Sequence, residues 1–137
     1  MSATVMMSEL TWSEYSRRLK EEDAVVFLPV GAVEQHGYHM AMGTDWLLGT
    51  YMARRAAERV GGIVAPPITY AARSQVRTGG GPHRMGSVNL RSETLIALVY
   101  DVLMELARHG ARKIAVIDAH YENRFLLDES CYRAQQD

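Results

Sequence analysis

A single cysteine, Cys131, stands among the 137 residues. One thiol excludes an intramolecular disulfide and predicts a reducing, cytoplasmic setting. Charge of neither sign is in excess, since 15 Lys and Arg face 16 Asp and Glu for a formal net charge of −1. The basic residues alternate with acids, as in "EYSRRLKEED", and form no stripe for a nucleic-acid backbone. No uninterrupted apolar run approaches the roughly 20 residues of a membrane helix. The start, "MSATVMMSEL", lacks the basic segment, apolar core and cleavage site of a signal peptide. These absences predict a soluble protein without nucleic-acid or membrane partners. Nucleophilic motifs are missing too: there is no GxSxG elbow, Ser74 has no adjacent histidine, and Cys131 has no nearby base. "TGGGPH" lacks the GxxxxGK[ST] pattern of a phosphate loop, and its glycines read as room for backbone amides beside a small polar ligand.

What is present is ordinary for a globular chain, with 47% hydrophobic and 23% charged residues. The length suits one domain over residues 1–137. Thr11 and Glu14 have the spacing of a capping box and predict a first helix through "YSRRLKEE". "AVVFLPVG" (24–31) reads as a strand buried on both faces, and "GIVAPP" as a second strand closed by prolines. Between them, 44–62 has apolar residues at Leu47, Leu48, Tyr51, Met52, Ala56 and Val60, a helical period with a Gly-Gly stop. A long polar, glycine-rich connection over 68–91 reads as functional. Ser92 is expected to cap the next helix, "ETLIALVYDVLMELARHG"; "KIAVID" follows as a third buried strand and "NRFLLDESCYRAQQ" as a last helix. Such alternation predicts a parallel sheet with helices on both faces, although three strands are few for a doubly wound domain.

Ligands of open parallel sheets bind at the carboxyl ends of the strands. Glu34, His36, His39 and Asp45 follow the first strand; Asp118, His120 and Glu122 follow the third. Taken singly, Glu34 reads as a carboxylate near a helix N-terminus and His120 as a hydrogen-bonded core histidine. Glu34, His36, Asp45, His120 and Glu122 together are too many ligands for one tetrahedral zinc. They suit two divalent ions about 3.5–4 Å apart, a pair that favours hydrolysis. His39 reads as loop packing or support behind the ligands, His83 equally as a site-lining or a solvated residue, and His109 as a helix-end cation.

As a set, "LPVGAVEQHGYHMAMGTD", "SQVRTGGGPH" and "ELARHGARKIAVIDAHYEN" resemble the creatininase (creatinine amidohydrolase) family, from about Leu10 to the end of the chain. The resemblance implies a three-layer α/β/α fold with a mainly parallel sheet. It also implies truncation, because the chain resembles only the family's N-terminal half. By this resemblance Glu34, Asp45 and His120 hold one ion, often Mn2+, while His36, Asp45 and Glu122 hold another, typically Zn2+, with Asp45 bridging. Glu122 and His120 are then the catalytic residues, and Thr78 and Tyr121 contact the substrate. The implied reaction interconverts creatinine and creatine by attack of a metal-bridging water on the ring carbonyl, in a homohexamer. Relatives acting on formamides or peptides tend to carry a "GHGGN"-like segment where this chain has "AHYEN", so Tyr121 and Glu122 favour the creatinine branch. Two alternatives are a hydrolase of another small amide or formamide, and a non-catalytic metal-binding or assembly subunit lacking the family's C-terminal catalytic segment.

Overall fold

The computed structural model describes residues 4–137 apart from Gly79 and Pro82. The first three residues of "MSATVMMSEL" and two positions of "TGGGPH" therefore lie outside the described residues. Helix α1 (Trp12–Glu21) begins at the expected capping box: the Glu14 amide donates to the Thr11 hydroxyl and the Thr11 amide donates to the Glu14 carboxylate. Then come β1 (Val26–Val30), α2 (Thr44–Val60), β2 (Ile63–Val64), α3 (Ser92–Arg108), β3 (Ile114–Asp118) and α4 (Arg124–Gln136). This is the alternation read from the sequence. One boundary differs, because Ser92 is already the first helical residue of α3; Arg91 occupies the cap position in extended conformation and makes no side-chain capping bond.

The strands run parallel in the order β2-β1-β3. Val26 pairs with Ile63 on one side and Ile114 on the other, and the β1–β3 register continues to Val30 opposite Asp118. Central β1 is buried along its whole length. Pro29 is tolerated there because strand amides alternate in direction: the Gly31 amide bonds the Ile68 carbonyl on the β2 side, so the donor missing at Pro29 faces where β2 has already ended. The "third buried strand" needs correction. Ile114–Ile117 are only half-buried, since β3 is paired on one side alone among the described residues.

Alternating side chains divide the core in two. Val26, Leu28 and Val30 join Ile114 and Val116 in a cluster with Leu19 of α1, Leu95 and Val99 of α3, and Leu127 of α4. Phe27, Val64, Ala115 and Ile117 face the opposite layer, where α2 contributes Ala53 and Ala57. The sheet is thus sandwiched between α2 and the other three helices. Each fully buried Val or Leu contributes about 1.5–3 kcal/mol to holding these layers.

Helix α2 turns a different face to the sheet from the one its apolar period suggests. Its buried residues are Asp45, Gly49, Ala53 and Ala57, whereas Leu47, Leu48, Tyr51 and Met52 are exposed. The physical reason is distance: a Cβ at Gly49 would come within 2.9 Å of the Ala119 Cβ, so only a stripe of small residues lets α2 lie this close to the strand ends. That approach carries Asp45 to the carboxyl edge of the sheet.

Candidate metal centre

The end of β1 is held against the start of α2 by Gly31. A Cβ there would lie 2.4 Å from the backbone nitrogen and Cα of Trp46, contacts that no side chain can make. This packing sets Asp45, in the first turn of α2, beside the residues leaving β1. The Glu34 amide donates to the Met42 carbonyl at 2.9 Å and closes the intervening loop, whose residues 37–42 are exposed. From the other strand the Ala119 amide donates to the Val30 carbonyl at 2.9 Å, so β3 delivers His120 directly next to the end of β1. A short 3-10 turn, Tyr121–Asn123, then leads into α4.

Four of the expected ligands meet around Asp45. Its Oδ2 lies 3.0 Å from His120 Nδ1, and its Oδ1 lies 3.1 Å from His36 Nε2. Glu34 Oε2 is 3.4 Å from the same His120 nitrogen. One donor atom from each of Glu34, Asp45 and His120 falls within 4.8 Å of the others, a group able to hold a metal ion. Glu122 approaches from the opposite side: its Oε2 is 3.3 Å from His120 Nε2, and its Oε1 accepts from the Gln75 amide at 3.1 Å and from the Thr78 hydroxyl. The three-residue set expected for the first ion is therefore gathered. In the second set, His36 and Asp45 are in contact while the Glu122 carboxylate faces His120 and the 75–78 segment.

All five residues line one open cavity of about 440 Å³, together with Thr78 and Tyr121. Among the described residues, no lysine or arginine forms an ion pair with Glu34, Asp45 or Glu122. Buried or half-buried carboxylates ordinarily pair with a cation or coordinate a metal, so three of them converging with two imidazoles fit a divalent ion of oxygen and nitrogen preference. Burial opposes charging the His120 ring. The Asp45 hydrogen bond and the negative charges of Glu34, Glu122 and Asp45 outweigh that cost and hold its pKa above that of an ordinary histidine.

Asp118 stands behind the cluster, accepting from the His120 amide at 3.1 Å, and burial pushes its carboxyl pKa up. His39 and His83 are exposed and neither lines the cavity. His109 ends α3 with Nε2 3.9 Å from Glu105 and its ring edge-on to Tyr15. Cys131 lies in α4, where burial raises its thiol pKa.

Sequence reasoning did not identify two buried polar residues that hold the centre together. Asn123, fully buried, accepts from the Ala72 amide and donates to the Gly31 carbonyl. Ser74, 1% exposed, donates to Glu34. Asn123 had one available signal, an amide side chain at the junction of a strand-end loop and a helix. Ser74 had none, because its partner is forty positions away.

Comparison with known proteins agrees with this arrangement. Residues 8–137 match the creatininase family model, described as creatinine amidohydrolase. The chain is 47% identical over 129 residues to creatinine amidohydrolase of Pseudomonas putida, an alignment covering 94% of this chain and 50% of that protein. It is 30% identical over 116 residues to 3-dehydro-scyllo-inosose hydrolase of Thermotoga maritima, covering 85% of this chain and 36% of that one. A mutant creatininase complexed with creatine superposes with a TM-score of 0.94 at 44% identity, covering 98% of this chain and 52% of that one. Other solved creatininases are described as a Zn-Zn type and a Mn form. The chain spans about half the length of these creatininases.

Proposed function

Since the chain belongs to the creatininase family, we propose that it is a metal-dependent amidohydrolase acting on a small cyclic amide and interconverting creatinine and creatine. The observation that carries this reading is the convergence of Glu34, Asp45 and His120 on one point at the strand ends. In this proposal Glu34, Asp45 and His120 hold one divalent ion and His36, Asp45 and Glu122 a second, with Asp45 shared. The split of the Asp45 oxygens between the two histidines supports the sharing. Zn2+ and Mn2+ are the proposed pair, in keeping with the Zn-Zn and Mn forms of related creatininases. When bound, such ions polarise the amide carbonyl and make water acidic enough to attack at neutral pH.

The chain's own residues supply orientation and proton handling. Hydrolysis adds the oxygen of water to the ring carbonyl carbon, breaks the C–N bond and moves a proton to the leaving nitrogen. Glu122 and His120, with Oε2 3.3 Å from Nε2, are the pair we assign to handling the proton of the attacking water, Glu122 as its acceptor. Thr78 steadies Glu122, and Tyr121, which is 80% exposed at the cavity mouth, presents a ring to the substrate. The same reading extends to assembly. The exposed α2 face formed by Leu47, Leu48, Tyr51 and Met52 supports a homo-oligomer, the homohexamer implied by the resemblance.

The test is to strip the protein of metal, reload it with Mn2+ or Zn2+, count the ions bound and follow creatine formation from creatinine beside formamide as a competing substrate. Two ions per chain and metal-dependent creatine formation are expected. Metal binding with turnover of formamide alone would move the substrate to another small amide, and metal binding without turnover of either would leave a non-catalytic metal-binding subunit.

A further inference from the structure

The 72–78 segment contributes none of the expected ligands, yet two of its side chains bond to them, Thr78 to Glu122 and, more deeply buried, Ser74 to Glu34. The Ser74 side chain is buried, and its backbone amide is tied to Asn89 Oδ1 at 3.3 Å. The Gly81 amide donates to Ser74 Oγ at 3.1 Å. Because that bond uses the hydroxyl as acceptor, its one hydrogen is directed to Glu34 Oε1. Glu34 Oε2 is left facing His120 Nδ1. The carboxylate is thus held by one oxygen and presented by the other.

Gly80 makes this arrangement possible. A Cβ at that position would fall 1.7 Å from Ser74 Oγ and 2.3 Å from Glu34 Oε1, inside both atoms. Any other residue would force the serine and the carboxylate apart. Two neighbouring backbone positions are therefore committed to one side-chain bond, the Gly81 amide that aims the hydroxyl and the Gly80 Cα that leaves room for it.

We propose that Ser74 is a positioning residue that fixes the rotamer of Glu34 for metal binding, with Gly80 as the clearance it requires. This rests on the proposed reading of Glu34 as a ligand. Partners that orient ligating groups from behind are typically worth about 10–100-fold in metal affinity. The gain belongs to the ion that Glu34 holds, because Ser74 touches neither His36 nor Glu122 in any hydrogen bond among the described residues.

The experiment is a titration of the metal-free protein with Mn2+ against a competing chelator, resolving the stepwise dissociation constants. Ser74→Ala should weaken one step by about 10–100-fold and leave the other essentially unchanged. Ser74→Ala added to Glu34→Gln should cause no further loss, while in a Glu122→Gln background it should keep its full effect. Gly80→Ala, which acts on the same bond from the opposite side, should reproduce the selective loss. A uniform weakening of both steps, or additivity with Glu34→Gln, would assign Ser74 a merely structural role and overturn the inference. A parent protein that binds Mn2+ while Ser74→Ala binds it equally well would overturn the inference alone. A parent that binds no Mn2+ would remove the underlying reading with it.

Discussion

The two strand ends that supply the cluster are built on opposite plans. At the end of β3 a single residue separates Asp118 from His120, and the turn that follows is fastened by Asn123, buried between the Ala72 amide and the Gly31 carbonyl. At the end of β1, Glu34 and His36 hang on a loop with exposed residues 37–42, and precision is imposed from outside: by the start of α2 against Gly31 and by Ser74 on Glu34. One arm is pinned by its own buried amide, the other by its neighbours. The lesson is that ligands equally close to a strand can depend on different parts of the chain, so damage to each arm should have a different signature.

The largest effect is expected on the β3 arm. Asn123→Leu keeps nearly the same volume but leaves the Ala72 N–H and the Gly31 C=O without partners in a fully buried position. Each orphaned group costs about 1–3 kcal/mol, so for the two a loss of about 2–6 kcal/mol in unfolding free energy is predicted. Urea denaturation of the metal-free protein measures it. A midpoint within error of the parent would show that the amide is not what fastens this arm.

On the β1 arm a smaller loss of stability should come with a local loss of binding. Gly31→Ala drives a methyl into the backbone of Trp46, and overpacking of this kind costs about 1–3 kcal/mol. Relief requires the first turn of α2 to move outward, taking Asp45 with it. The expected result is a Zn2+ affinity reduced more than the modest shift in midpoint would suggest, read by chelator competition beside the denaturation curve. If Gly31→Ala destabilised the protein more than Asn123→Leu, the contrast between the arms would be reversed.

The same contrast explains what was legible in the sequence. Strand ends announce themselves through apolar runs that stop, so Glu34, His36, His120 and Glu122 were visible as pairs at two such stops, and Asp45 as an acid at a helix start. The buried face of α2 was not visible. Periodicity pointed to Leu47, Leu48, Tyr51 and Met52, whereas close approach to the sheet selects Gly49, Ala53 and Ala57. Periodicity records which residues are apolar and not how near the neighbouring layer must come. The half-burial of β3 was hidden for a related reason, since an apolar run does not state how many neighbours its strand has. Ser74 and Asn123 act through long-range hydrogen bonds, one to Glu34 and two to the Ala72 amide and the Gly31 carbonyl, and local composition names none of these partners; the place of Asn123 between a strand-end loop and a helix was its one signal.

The smallest effect is expected from His39, and it sharpens the account of the β1 loop. His36 and His39 are three positions apart on one loop, yet only His36 is oriented at both nitrogens: Nδ1 lies 3.1 Å from the Glu34 carbonyl and Nε2 lies 3.1 Å from Asp45 Oδ1. A ring that donates from Nδ1 to a backbone carbonyl keeps the lone pair of Nε2 for whatever Asp45 shares with it, which is the arrangement metal-binding histidines ordinarily have. His39 is exposed and lies outside the cavity. His39→Ala should therefore shift unfolding free energy by no more than about 0.5 kcal/mol and leave Zn2+ affinity unchanged, while His36→Ala weakens it. A loss of affinity in His39→Ala comparable to that in His36→Ala would mean that the loop closes onto the centre when metal binds and that its exposed residues are part of the site.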